Sequence, residues 1–394
     1  MKHLIRIMGI IAVCFSITAC STSDDIKDSS TNSLNSSYDQ DRDSDANKIT
    51  DSYRYQLPVI FHIFYSDDPE DSTLKVATPE RMSFILKNVN DLWKGVYNDS
   101  SVDIGVDFVL AQRDESGSLL EHPGIVYEHW NNTSMDVESF MNDDTGQYTK
   151  YIWDPNNYIN VMIFPFKDDE SDGSVTLGIT HLPFTTSGAN MLEGLNVTKY
   201  SSMTKDNLKF PYSSAINALY ISKDNDSKRY TATTEENRFN SSVFDVSATL
   251  AHELGHYLGL FHVFTENTAG DIVDSCGDTD YCEDTPSYNK TEYDTWLTSY
   301  INYYIKQTNP YHEFSLYELD IRHSCAGTTY HASDFMDYSY CTSDLFTNDQ
   351  RDRIRHVLYY SPLIPGPKKT GASRAGGYQS AGNGPLDLPI MTRK

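Results

Sequence analysis

The order of apolar and polar positions predicts strands and a helix in the first half of the chain. Residues 57–65 form a β-rich, nearly continuous apolar run, which is typical of a strand buried on both faces. Thr78, followed by Pro and Glu, marks a helix start, and apolar residues then recur at helical spacing. Three further strands are predicted, one alternating and two buried, at residues 102–110, 158–166 and 215–222.

A proline indicates where the sheet ends. Leu182-Pro183-Phe184 is predicted as an edge segment, because proline has no N–H to donate to a central ladder. The order of strand, helix and further strands predicts an α/β layer before residue 240.

The second half has weaker periodicity. Residues 293–307 predict a tyrosine-rich helix within a loop region. Thr347 and Gln350 form a capping box, which predicts a last helix from there to Tyr360. Residues 364–394 are rich in small and polar residues and are predicted to be a flexible tail.

The first 52 residues predict export and tethering. Lys2 and Arg6 precede a short apolar stretch, and the small residues before Cys20 resemble a bacterial lipobox. Residues 1–19 would be the lipoprotein signal peptide, and acyl chains on Cys20 would hold the mature chain at a membrane. Residues 20–52 are acidic, Ser-rich and almost without apolar side chains, so they predict a flexible tether.

The acidic start of the tether resembles the export signal of surface-exposed Bacteroidetes lipoproteins. The expected location is therefore the bacterial outer membrane, at the cell surface. The alternatives are an ordinary signal peptide with an incidental cysteine, or a membrane anchor that is not cleaved.

Composition limits the class of protein. Hydrophobic residues make up 39% of the 394 residues, which is enough for a core and excludes full disorder. The net charge is -25, and no run of Lys or Arg supplies the basic surface that nucleic-acid binding needs. We therefore expect no nucleic-acid partner, and we also expect a monomer.

The strongest chemical signal is the motif His252-Glu253-Leu254-Gly255-His256-Tyr257-Leu258-Gly259-Leu260-Phe261-His262. His252 and His256 are four residues apart, so on a helix both imidazoles leave one face and can share a zinc ion. Gly259 is predicted to end the helix, since glycine adopts positive φ at no cost, and the turn returns His262 as third ligand. Three protein ligands leave one position for water, which is typical of a catalytic site.

Glu253 is the predicted general base, acting on a zinc-bound water. The predicted function is therefore a membrane-tethered zinc endopeptidase that hydrolyses peptide bonds in proteins. One alternative is a non-catalytic surface adhesin or binding lipoprotein with a relic zinc site, but a relic has no physical reason to keep the base. Another is a zinc exopeptidase with a distant Glu as third ligand, which His262 disfavours.

The long motif resembles that of the metzincin proteases. The resemblance implies a Met-turn beneath the zinc, and Asp334-Phe335-Met336-Asp337-Tyr338 fits it, with Met336 as the turn residue. In some metzincins a tyrosine two places later approaches the zinc. Tyr338 holds that place, where its phenol would hydrogen-bond the oxyanion; the alternative is a tyrosine packed beneath the site.

Within the metzincins the chain resembles the pappalysin (cytophagalysin-like) family. The matching pieces are the long motif, Asp284-Thr285-Pro286, the Met-turn, and Phe346-Thr347 with Gln350. With its lipobox, the chain is similar to zinc-dependent metalloproteinase lipoproteins of Bacteroidales. The resemblance implies an α/β (α+β) metzincin-like fold over residues 53–363. Its upper part, 53–259, would hold a twisted mixed sheet and the active-site helix. Its loop-rich lower part, 260–363, would hold disulfides, the Met-turn and a C-terminal helix.

Cysteines and acidic residues suggest two further features. Four cysteines follow the tether, and an even number in an exported protein predicts two disulfides among Cys276, Cys282, Cys325 and Cys341. Three pairings are possible, and bridges that cross residues 283–324 are favoured. A short acidic loop that includes Asp271, Asp274 and Asp284 suits calcium, which pappalysin-like enzymes can carry here; the alternative is a solvated acidic loop.

Overall fold

The computed structural model describes residues 49–167, 175–222, 229–234, 237, 245–306, 316–338, 340–369 and 379–394. The predicted signal peptide, Cys20 and nearly all of the tether lie outside these residues. Among the described residues, no helix combines the length and the apolar content that crossing a membrane requires.

The described residues form eleven strands and six α-helices. The strands are β1 (Tyr55–Tyr65), β2 (Val106–Leu110), β3 (Ile125–His129), β4 (Ile159–Phe164), β5 (Gly178–His181), β6 (Phe184–Thr186), β7 (Asn196–Thr198), β8 (Ser214–Asn217), β9 (Ile321–His323), β10 (Thr329–His331) and β11 (Thr392–Arg393). The helices are α1 (Thr73–Val76), α2 (Pro79–Trp93), α3 (Val137–Met141), α4 (Val246–Tyr257), α5 (Lys290–Lys306) and α6 (Asn348–Tyr360).

One seven-stranded mixed sheet organises the first half of the molecule. Its order is β11-β5-β8-β4-β1-β2, and β3 also pairs with β1. β1 pairs in parallel with β2, β3 and β4, and β8 continues the parallel part beyond β4. β5 is antiparallel to β8, and β11 is antiparallel to β5. Because parallel sheets are covered on both faces, the interior strands β1 and β4 are almost wholly apolar and buried.

Two helices cover the sheet near the site. Helix α2 begins as its sequence predicts, with Pro79 at the first position and the Thr78 hydroxyl accepting the backbone N–H of Arg81. Helix α4 is capped by Asp245, whose side chain accepts the backbone N–H of Ser247. Helix α4 contacts α2, β5 and β8, so its motif residues lie beneath the β5 side of the sheet.

Several sequence predictions are confirmed. The strand at residues 57–65 lies within β1, and the two helices predicted in the second half correspond to α5 and α6. The capping box is present, since Thr347 and Gln350 exchange side-chain to backbone hydrogen bonds. The predicted mixed α/β fold, with an active-site helix and a C-terminal helix, is also confirmed.

Two strand predictions need correction. The strand predicted from residue 102 begins only at Val106, because Gly105 has a φ of 76° that breaks the extended backbone. The strand predicted at 215–222 ends at Asn217, whose side chain caps a 3-10 turn at Ala218–Tyr220. The predicted edge segment is confirmed in part, since Phe184 begins β6, which among the described strands pairs only with β7 in a two-stranded sheet.

The predicted flexible tail is also wrong in part. Residues 379–394 lie against the domain, where the Asn207 side chain donates to the carbonyl groups of Gly382 and Gly384. Leu386 donates its backbone N–H to the carbonyl of Asn207. These contacts use backbone groups of the tail, which every residue type carries, so residue composition does not reveal them. The small and polar composition therefore predicted a flexible segment.

Candidate active site

Three imidazoles meet at the C-terminal end of helix α4. The Nε2 atom of His256 lies 3.0 Å from that of His252 and 3.1 Å from that of His262, and the remaining pair is 3.3 Å apart. Among the described residues, this is the one group of three or more potential ligands whose donor atoms lie within 4.8 Å of one another.

The outer ring nitrogens fix how the three rings face each other. The Nδ1 atom of His252 lies 2.6 Å from the carbonyl oxygen of Phe335, and that of His256 lies 2.9 Å from the carbonyl oxygen of Leu260. The Nδ1 atom of His262 lies 2.6 Å from a carboxylate oxygen of Glu266. Each Nδ1 therefore serves as the donor, which leaves three Nε2 lone pairs facing one another.

A metal ion fits this arrangement. Three nitrogens held by one zinc ion at about 2.0–2.1 Å in tetrahedral geometry lie roughly 3.3–3.4 Å apart. The observed separations of 3.0–3.3 Å are close to that. Three lone pairs at these distances repel one another unless a cation lies between them. Burial lowers the pKa of each of the three histidines, so that each is neutral and able to ligate.

Glu253 lies buried beside the triad, beneath strand β5. Its Oε2 atom accepts the hydroxyl of Thr180 at 2.6 Å. A Cβ on Gly178 would lie only 2.5 Å from Oε1, so the strand can pass over the carboxylate only because residue 178 is glycine. Burial raises the pKa of Glu253 to about 8. Positive charge on a metal at the triad would instead favour the carboxylate form.

The turn after helix α4 depends on a glycine. Gly259 has a φ of 94°, which only glycine adopts without strain, and the helix ends two residues before it. A Cβ at this position would lie 2.8 Å from a methyl carbon of Val357. The carbonyl of Gly259 accepts the Arg353 side chain at 2.7 Å. The predicted turn that returns His262 to the first two histidines is therefore present.

A methionine turn supports the triad from below. Met336 is fully buried, and a Cβ on Gly255 would lie 2.6 Å from its sulfur, so the thioether packs directly on helix α4. Its backbone N–H donates to Asp334, and its carbonyl accepts the N–H of Val263. Phe335, one residue earlier, supplies the carbonyl that orients His252.

Tyr338 extends from this turn to the triad. The centre of its ring lies 4.5 Å from that of His262, and burial raises the pKa of its phenol. The Oη atom donates a hydrogen bond of 2.8 Å to the backbone carbonyl of Lys394. The same carbonyl oxygen lies 3.0 Å from the Nε2 atom of His262.

The family comparison agrees with this geometry. Residues 228–359 match the model of the Peptidase M43 family, described as pregnancy-associated plasma protein-A. This segment is a pappalysin-type metalloendopeptidase domain. The family implies a catalytic zinc, and the three histidines are the residues able to hold it.

Among solved structures, the chain is similar to mirolysins at low sequence identity. Mature mirolysin of Tannerella forsythia, in complex with a cleaved peptide, is 19% identical with a TM-score of 0.46, covering 77% of this chain and 90% of that one. Mirolysin with a small compound is 17% identical with a TM-score of 0.47, covering 78% and 92%. A promirolysin mutant of Tannerella forsythia is 17% identical with a TM-score of 0.45, covering 80% and 85%. No curated protein matches significantly.

The cysteine prediction is half right. The pappalysin-type domain contains the disulfide Cys276–Cys325, which crosses residues 283–324 as favoured. Cys282 and Cys341 remain buried thiols, which corrects the prediction of a second bridge. Their sulfur atoms instead contact backbone carbonyls, at 3.7 Å and 3.2 Å respectively. An even number of cysteines does not show which cysteine side chains the fold brings together.

The acidic loop disperses its carboxylates. Asp271 accepts the side chain of Asn267, and Asp274 accepts that of Asn289. Asp284 accepts the backbone N–H of Asp349 at the start of helix α6. No group of three ligands forms here among the described residues, and calcium binding at this loop stays a prediction.

Three residues of the site are not among those predicted from the sequence. Thr180 holds the base, Glu266 holds the third histidine, and Lys394 brings a carbonyl to the triad. Glu266 follows His262 by four residues, which is a detectable spacing. Thr180 and Lys394 lie far from the motif in sequence, and only the pairing of β5 with β8 and β11 brings them there.

Proposed function

We propose that this chain is a membrane-tethered endopeptidase that hydrolyses peptide bonds within proteins, with Glu253 as general base. The observation that supports this most is the set of three facing Nε2 atoms with a buried carboxylate beside them under strand β5. Three protein ligands leave one coordination position of a zinc ion for water or substrate, and the neighbouring strand β5 accepts an antiparallel partner strand, as an extended peptide would require.

The chain's own residues carry most of the proposed mechanism. His252, His256 and His262 would hold a zinc ion, which would supply Lewis acidity to the scissile carbonyl and to water. Glu253 takes one proton from the attacking water and later passes it to the nitrogen of the leaving amine. The Thr180 hydroxyl holds Oε2 of Glu253, so that Oε1 is left to handle the proton. Tyr338 donates a hydrogen bond to the oxygen on which negative charge develops.

Substrate would bind along β5. This strand lies next to Glu253 and already pairs antiparallel with β11, so its backbone groups suit an antiparallel peptide strand. Main-chain pairing holds a peptide in extended form and presents each carbonyl in a fixed register, which reduces the entropy of reaching the reacting geometry.

Two substitutions test the division of roles. Glu253→Gln keeps shape and hydrogen bonding, so zinc should stay near one per chain while kcat falls by about 10²–10⁴-fold. His262→Ala removes a ligand and should lose zinc itself. Zinc content and cleavage of a quenched peptide are measured for both variants.

The exposed Glu121→Gln is the matched control and should behave as the parent. Parent-like cleavage by Glu253→Gln would refute the mechanism. Zinc binding without cleavage of any peptide in a diverse library would instead favour the non-catalytic binding lipoprotein.

We further propose that acyl chains on Cys20 hold the enzyme at the bacterial outer membrane, facing outward. The support is the apolar stretch with small residues before Cys20 and the acidic tether after it. Cys20→Ala should move the protein from the membrane fraction to the soluble fraction, whereas Cys20→Ala and parent should have equal activity in detergent. An unchanged membrane fraction would count against the anchor.

A further inference from the structure

The last residues of the sequence lie on β5 as an added strand. Thr392 pairs with His181, Arg393 pairs with Thr180, and the direction is antiparallel. The backbone N–H of Leu182 donates to the carbonyl of Met391 at 2.9 Å, which extends the pairing by a residue. This segment therefore uses the backbone groups of β5 that a bound substrate would use.

The segment also reaches the reacting position. The carbonyl oxygen of Lys394 accepts the phenol of Tyr338 and lies 3.0 Å from Nε2 of His262. In the proposed mechanism these are the groups that surround the carbonyl of the bond to be cleaved. Lys394 thus takes the place of the first residue on the N-terminal side of the cleaved bond, and Arg393 takes the place of the second.

A fitted pocket surrounds the side chain of Arg393, which is 5% exposed. Its Nε atom lies 3.4 Å from a carboxylate oxygen of Glu266, and Nη1 donates to the carbonyl of Ala269 at 3.2 Å. The guanidinium lies 5.3 Å from the ring centre of Phe261. A Cβ on Gly270 would lie 2.5 Å from Nη1, so the glycine leaves the space that the guanidinium fills.

The two basic side chains are held very differently. Arg393 and Glu266 form a pair in which both side chains are buried, and the other oxygen of Glu266 binds His262. Lys394 pairs with Glu138 on helix α3, but both side chains are about half exposed. Successive residues of a strand point to opposite faces, which is why the two side chains reach different acids. A buried pair discriminates more than an exposed one, because water screens the latter.

We infer that this cleft selects peptides with an arginine as the second residue before the cleaved bond, and that residues 391–394 are its resident, competing occupant. The inference rests on the proposed function for the position of the bond. The pocket is formed by the loop that follows the third histidine, so arginine recognition and metal binding share Glu266. A lysine as the first residue before the cleaved bond contributes less to peptide affinity.

Peptide binding tests the pocket without requiring catalysis. A fluorescent peptide with the sequence of residues 388–394 is titrated against the Arg393→Ala protein, and anisotropy is measured. Replacing the peptide's arginine by alanine should weaken binding by at least tenfold. Replacing its lysine should weaken it by less than about fivefold. Equal affinity of the arginine and alanine peptides would overturn the inference.

Hydrogen exchange tests the resident occupant. Arg393→Ala should speed amide exchange in residues 178–182 and lower KM for a quenched peptide that carries arginine at the second position. Asp387→Asn is the control, since this side chain on the same segment is fully exposed, and it should match the parent. Unchanged exchange and unchanged KM in Arg393→Ala would show that the segment does not compete with substrate.

The two proposals can fail separately. If Glu253→Gln loses cleavage but arginine has no effect on peptide affinity, the catalytic proposal stands and the arginine pocket falls. If no peptide is cleaved, anisotropy and exchange still decide whether the cleft prefers arginine.

Discussion

Single atoms set the chemistry of this site. Each histidine donates through Nδ1 to a fixed acceptor, two of which are backbone carbonyls, so the tautomer is determined by the fold. Glu253 is held by Thr180 in the same way. These hydrogen-bond partners fix the orientation of the imidazole rings and of the Glu253 carboxylate before substrate binds, so the site is preorganised.

Tyr338→Phe tests a single hydrogen bond. The phenol should stabilise the oxyanion more than the ground-state carbonyl, so kcat should fall by about 10–10³-fold with a smaller change in KM. Zinc content should remain near one per chain. Tyr303→Phe, on an exposed part of helix α5, is the control for removal of a tyrosine hydroxyl. A larger effect on KM than on kcat would assign Tyr338 to substrate binding.

At the scale of elements, three pieces of chain converge on the triad. Helix α4 provides two histidines, the Gly259 turn returns the third, and the Met336 turn packs beneath them. Strand β5 passes over Glu253 because Gly178 has no side chain. Glycines therefore determine how closely the elements approach one another, and their neighbours leave no room for a methyl group.

Gly259→Ala should disturb this arrangement. Alanine is strained at a φ of 94°, and its methyl group would collide with Val357. We expect a loss of about 1–3 kcal/mol in the free energy of unfolding, together with weaker zinc binding because His262 moves. Urea unfolding and zinc titration measure these effects.

Gly277→Ala is the control, because no atom lies within 4 Å of a Cβ there and φ is not positive. An equal loss of stability in both variants would show that the turn geometry is not responsible.

At the scale of the whole molecule, covalent and non-covalent links join distant segments. The disulfide Cys276–Cys325 closes a loop of 49 residues that carries helix α5. Residues 379–394 return to the sheet and complete it with β11. The disulfide persists when the chain unfolds, so it reduces the entropy of the unfolded state, whereas the pairing of β11 stabilises only the folded state.

Removing the disulfide should destabilise the domain more than it affects chemistry. Replacing both Cys276 and Cys325 by serine should lower the free energy of unfolding by about 2–4 kcal/mol. Urea unfolding with and without a phosphine reductant measures this, since the reductant should lower the stability of the parent but not of the double variant. A parent that is insensitive to reduction would contradict the stabilising role of the bridge.

The sequence by itself determined the local chemistry. His252 and His256 are four residues apart, so helical periodicity alone brings them to one face, and Glu253 follows His252 directly in the chain. The glycine at 259 and the capping box at 347 are equally local, so short-range sterics and hydrogen bonds predicted them, whereas the Met-turn was implied by the family resemblance. The mixed α/β class followed from the alternation of apolar runs.

Only the tertiary structure decided what depends on contacts between distant residues. Strand pairing brought Thr180 to Glu253 and Lys394 to the triad, from positions 73 and 132 residues away in the chain. The tertiary fold also brought Cys276 to Cys325, and it left Cys282 and Cys341 as free thiols. A tail of small and polar residues became a strand of the sheet because its backbone found partners on β5. The pattern of residue types indicates secondary-structure propensity and burial. Strands pair through backbone groups that every residue shares, so the pattern does not indicate which strands pair.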